Sequence, residues 1–87
     1  MNEVRDHPDR RRYELTVGSE TAFAAYRRED GAIVFTHTVV PEALRGEGIG
    51  TALVAGALAD AVSRGLTIVP ECPFVADYLD RHPEVAA

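Results

Sequence analysis

From Tyr13 the chain alternates apolar and polar residues: Tyr13, Leu15 and Val17 are separated by Glu14 and Thr16, the period of a strand with one buried face. Val17-Gly18-Ser19-Glu20 supplies a turn, and Ala22 to Arg27 reads as the returning strand. Glu29-Asp30-Gly31 is a second turn signal, after which Ala32 to Val40 forms a long run rich in β-branched residues that Pro41 closes. The period then changes. Leu53, Val54, Ala57, Leu58, Ala61 and Val62 recur at helical spacing with Asp60, Ser63 and Arg64 on the other side, which predicts an amphipathic helix over 50–64 stopped by Gly65. Leu66-Thr67-Ile68-Val69 is a short buried strand, and the return from strand through helix to strand makes it parallel to the run ending at Val40. Phe74 to Arg81 is a short helix with Phe74, Tyr78 and Leu79 facing inward, ended by His82-Pro83. Residues 1–10 are polar and without period, so a flexible leader is expected there, with one domain over 11–87. The expected fold class is α/β (α+β): three antiparallel strands, a helix, a parallel fourth strand and a short C-terminal helix.

Composition narrows the function classes. An 87-residue chain makes one small domain, which buries only about 60 to 65% of its unfolded surface, so a bound ligand is expected to matter to its stability. Net charge is −5 and the chain has no lysine; Arg10-Arg11-Arg12 is diluted by Asp6 and Asp9 and reads as a solvated strand edge, which argues against a nucleic-acid partner. No apolar run approaches a membrane span and no signal peptide is recognisable. With a single cysteine there is no internal disulfide, and the expectation is a cytoplasmic protein without a membrane partner.

The most informative segment is Arg45-Gly46-Glu47-Gly48-Ile49-Gly50, which joins the last antiparallel strand to the long helix. A helix start carries unpaired N–H donors and the positive end of the helix dipole, and glycines let that backbone crowd around a phosphate. The spacing fails the ATP-binding loop, which needs four residues between its glycines followed by Gly-Lys-Ser or Gly-Lys-Thr. It also fails the dinucleotide fingerprint, because Thr51 stands where the third glycine belongs. What remains is Arg-x-x-Gly-x-Gly, which alone is either a chain reversal or a phosphate cradle.

His37 through Val54, with this motif at its centre, resembles the acyl-CoA-binding core of the GNAT N-acetyltransferase superfamily, whose signature is Gln/Arg-x-x-Gly-x-Gly/Ala. Pro70-Glu71-Cys72-Pro73-Phe74-Val75, followed by Tyr78-Leu79 and His82-Pro83-Glu84, resembles the ending of its small single-domain, YjdJ-type branch. The resemblance implies a minimal GNAT-like fold and acetyl-CoA as the acetyl donor, lying in a V between the parallel strands. It implies pyrophosphate contacts from Arg45, Gly46, Gly48, Ile49, Gly50 and Thr51, with Val39 and Val40 pairing their main chain with the pantetheine arm. The usual helices between the first two strands are reduced to the turn Val17 to Glu20, so much of the acceptor wall is missing. An open cleft suits a protein or peptide amine, or a wall completed by a second subunit, which leaves monomer and homodimer both open.

Acetyl transfer to an amine poses two proton problems. An amine of pKa near 10.4 is only about one part in a thousand neutral at pH 7, and the departing thiolate needs a proton. Tyr78 is the candidate acid, matching loosely the tyrosine many superfamily members use; the other reading is a packed aromatic with a satisfied hydroxyl. Cys72 follows the strand that flanks the thioester and is either a small buried hydrophobe or a thiol at the acceptor site, a covalent acetyl carrier in its strongest form. His37 has the right pKa for a base, near 6.5, and faces cleft or core according to strand register. His82 reads as a helix cap. No Cys and His set has metal-ligand spacing, so no metal is expected. Two functions follow: an acetyl-CoA-dependent N-acetyltransferase acting by direct transfer in a ternary complex, or a non-catalytic acyl-CoA-binding module.

Overall fold

Five strands in the order β1-β2-β3-β4-β5 form one sheet: β1 (Arg5–His7), β2 (Arg12–Val17), β3 (Glu20–Glu29), β4 (Ala32–Val39) and β5 (Thr67–Pro70). The structure, a computed structural model, describes residues 3–86. The first four strands pair antiparallel, and β5 returns parallel to β4 with Ala32 opposite Thr67 and Phe35 opposite Pro70. Helix α1 (Ile49–Ser63) makes that crossover, and α2 (Pro73–Arg81) follows β5. This is the expected α+β arrangement with one strand more.

Both helices lie on the same face of the sheet. Tyr13 and Leu15 of β2, Ala22, Ala24 and Tyr26 of β3, and Ile33 and Phe35 of β4 form one buried cluster with Leu53, Val54, Ala57, Leu58 and Ala61 of α1 and with Cys72 and Val75. Alternation along the strands supplies one half of this core and the 3.6-residue period of α1 the other. A two-layer core of this kind is held by burial of apolar area, about 25 cal/mol per Å² removed from water.

The additional strand corrects the expectation of a flexible leader. β1 pairs with β2 along Arg5–Glu14, Asp6–Tyr13 and His7–Arg12. It is tied down by side chains as well: the Tyr26 hydroxyl donates to Asp6 at 2.5 Å, and Val4 packs so closely on Gly56 of α1 that a Cβ there would stand 2.6 Å from Val4 Cγ2. Met1 and Asn2 lie outside the described residues.

Candidate active site

Past Phe35 and Pro70 the parallel strands part company. β5 ends there, the Cys72 N–H makes a last bond to the Phe35 carbonyl at 2.9 Å, and β4 runs on through residues 36–39 with only β3 beside it. A 3-10 turn, Glu42–Leu44, then leads from β4 into the glycine segment and α1. The result is a cleft of about 430 Å³ bounded by Thr38 and Val40 on one side, the turn from Leu44 to Thr51 below, and Phe74 of α2 on the other.

The floor of the cleft is the start of α1. Gly48 is its N-cap, with φ +76, a left-handed conformation that costs an L-residue about 1–2 kcal/mol and a glycine almost nothing. Gly48 has no side chain to cap the helix, no acidic residue stands in the first turn, and the first helical bond runs from the Ala52 N–H to the Gly48 carbonyl at 3.0 Å. The N–H groups of the first turn are thus left for an anion. Gly50 serves a different need, because the Phe74 ring lies against it: a Cβ at position 50 would stand 2.9 Å from Phe74 Cζ and 3.2 Å from Val40 Cγ2. Arg45 is exposed at the rim and folds back so that its Nε donates to the Val40 carbonyl at 3.2 Å, which fixes the guanidinium beside the turn.

Of the residues singled out in the sequence, Val40, Arg45, Gly46, Gly48, Ile49, Gly50 and Thr51 come together around this one cleft. Val39 does not join them. Its side chain is exposed and belongs to the opposite sheet face, as successive strand residues must. His37 is on that opposite face too. A bulge between Ala25 and Tyr26 sets Ala25 opposite His37 and Tyr26 opposite Phe35, so Thr36 is the extra residue and Thr38 faces the helices. His37 is exposed, meets the Phe23 ring edge-on at 6.0 Å, and is not among the cleft-lining residues.

Cys72 is 3% exposed and packs in the core, with its Sγ 3.4 Å from the hydroxyl of Thr38, so Thr38 stands between the thiol and the cleft. Tyr78 is half-buried and lines a second hollow of about 300 Å³ with Thr51, Phe74, Asp77, Arg81 and His82; Thr51 and Phe74 are common walls of both spaces. Its ring stacks on His82 with centroids 4.5 Å apart. Among the described residues no hydrogen-bond partner meets the Tyr78 hydroxyl, whereas the other two phenols are committed: Tyr13 to Asp60 at 2.6 Å and Tyr26 to Asp6. Burial, aided by these carboxylate acceptors, pushes the Tyr13 and Tyr26 phenols far above the ordinary range and removes them as proton donors at neutral pH.

Phe74 corrects another expectation. Val75 takes the buried position, 0% exposed, while Phe74 is 42% exposed and closes the cleft instead of filling the core. Thr38, Leu44 and Phe74 are cleft residues missed in the sequence. Thr38 was recoverable from its period-2 relation to Val40, and Phe74 was not.

A cleft where a sheet opens between parallel strands, floored by glycines at a helix start, agrees with a sequence match across most of the chain: residues 12–87 fit the profile of the GCN5-related N-acetyl-transferase family. The chain belongs to this family. Membership makes acyl transfer the general class of its chemistry. Among the described residues no helix is long and apolar enough to cross a membrane.

Proposed function

We propose that the protein is an N-acetyltransferase that takes acetyl-CoA and transfers the acetyl group directly to an amine in a ternary complex, in the cytoplasm. The observation that carries this reading is the continuity of the cleft, from the uncapped first turn of α1 to the unpaired stretch of β4. The pyrophosphate would lie on the N–H groups of Gly48 to Thr51 with Arg45 at its side, and the pantetheine arm would run between Val40 and Phe74 and pair with β4 through the main chain around Val39 and Val40. Those contacts bring the thioester to the point where β4 and β5 diverge.

Tyr78 is the proposed acid for the departing thiolate, because its hydroxyl is the uncommitted one of the three tyrosines. The amine enters from the helix-free face of the sheet, where the exposed His37 is the proposed base for its proton. On this reading donor and acceptor approach the same opening from opposite faces. Direct transfer is favoured over a Cys72 acetyl carrier because the thiol is buried, with Thr38 between it and the cleft. The alternative, an acyl-CoA-binding module without turnover, uses the same cleft.

Initial rates with acetyl-CoA and a panel of peptide and small amines separate these readings. Intersecting double-reciprocal lines, with turnover retained in Cys72→Ser, support the ternary complex; parallel lines with loss of turnover in that variant assign the carrier. Saturable CoA binding with no transfer to any amine assigns the module.

A further inference from the structure

The chain holds nine cationic side chains, all arginine, against fourteen carboxylates. Among the described residues six of those arginines sit on carboxylates: Arg5 on Glu3, Arg10 and Arg12 on Glu14, Arg27 on Glu29 and Glu71, Arg64 on Asp60 and Asp6, and Arg81 on Asp77. Arg45 is at the glycine turn. The two that remain, Arg11 and Arg28, make no ion pair among the described residues and line the same hollow, of about 420 Å³, with Asp6, Pro8, Tyr26, Arg27 and Arg64.

This hollow lies past the C-terminal end of α1, whose 15 residues span about 22 Å from the glycine turn. Its one carboxylate is already balanced, since Asp6 accepts from the Tyr26 hydroxyl and pairs with Arg64 at 3.5 Å. Arg27 is likewise neutralised by Glu29 and Glu71. The unbalanced charge of the hollow is therefore that of Arg11 and Arg28.

Backbone geometry at Arg11 points the same way. Arg11 has φ +54, the one non-glycine residue with positive φ among the described residues. Its conformation is pinned on both sides, with its N–H on the Pro8 carbonyl at 3.1 Å and its carbonyl accepting from the Tyr26 N–H at 3.0 Å. Glycine fits such a position without penalty, and all five positive-φ glycines stand at this chain's other turns and helix ends. Keeping arginine there presents a guanidinium at the hollow from a fixed backbone, at the expense of local strain.

We infer that this hollow is a second binding site, distinct from the glycine-turn cleft, for a small organic oxyanion gripped by Arg11 and Arg28, with Arg64 held in reserve on Asp6. Paired guanidinium forks match the planar and tetrahedral oxygens of carboxylates and phosphates, and the volume suits a molecule larger than a lone ion.

The test is NMR of the full chain with labelled arginines, titrated with inorganic phosphate and, separately, with citrate, against sodium chloride at equal ionic strength. Saturable shifts of the Arg11 and Arg28 Nε–H signals are expected with phosphate, citrate or both, and the stronger of the two assigns the oxyanion class. Arg11→Gly, which keeps the backbone fold of the turn, and Arg28→Gln should each reduce the affinity at least tenfold while leaving the amide shifts of Gly46 to Gly50 on CoA addition unchanged. Shifts that follow ionic strength equally with chloride, or saturable binding that survives both substitutions, overturn the site.

Discussion

The ring of Phe74 rests on Gly50, with no room for a Cβ between them. One residue belongs to the turn that begins α1 and the other to the first turn of α2, so this contact joins the floor and the far wall of the cleft. It also separates two requirements that glycine meets in a single turn.

Substitution at Gly48 and Gly50 should therefore fail in different ways. Gly48→Ala forces a side chain into φ +76 with open space around it, which costs about 1–2 kcal/mol of stability. In a domain this small the melting midpoint falls by roughly 4–16 °C. Gly50→Ala displaces an exposed ring instead, so its melting midpoint should change less while affinity for CoA falls about tenfold, equivalent to about 1.4 kcal/mol. Paired calorimetric titration and thermal melting of the two variants check this; a Gly50→Ala protein that melts far lower but binds CoA normally would show that the contact is architectural.

Tyr78→Phe removes only a hydroxyl that makes no hydrogen bond among the described residues. Stability should be unchanged, and kcat should fall by about 10²-fold or more with little change in KM for acetyl-CoA, the range expected for loss of a general acid. Loss of thermal stability with kcat unaltered would instead assign the ring a packing role.

The two other tyrosines make a prediction about alkaline pH. Their folded pKa values are raised above the ordinary phenol value of 10, first by burial and then by Asp60 and Asp6. A raised folded pKa contributes stability that is complete below pH 10 and is lost as pH climbs above it, because the unfolded chain releases those protons first. Absorbance titration should show two of the three phenols failing to ionise near pH 10 until the protein unfolds. Reversible ionisation of all three in the folded state would contradict the buried Tyr13–Asp60 and Tyr26–Asp6 pairs.

What could be read from the sequence was what depends on period. β2, β3, β4, α1 and β5 follow from alternation and helical spacing, and the arginine and glycines of the turn do converge on one cleft. β1 escaped because Arg5-Asp6-His7 has no apolar alternation; its order comes from partners distant in sequence, Gly56, Tyr26 and Arg64. The direction of His37 escaped because a one-residue bulge at Thr36 inverts every following side chain, and nothing in Thr36-His37-Thr38 announces it. Phe74 escaped because α2 is rotated to bury Val75, a choice set by packing against β4 and α1.

The central claim, that the glycine-turn cleft holds acetyl-CoA, is tested most directly by thermal melting with acetyl-CoA, CoA and ATP, each at about 100 times a plausible dissociation constant. A ligand bound only by the native state adds roughly 2.7 kcal/mol under those conditions, a rise of several degrees in a domain of this size. Stabilisation by acetyl-CoA and CoA, absent with ATP and cut to roughly half in Gly50→Ala, is the predicted result; no shift with either CoA species would contradict the account.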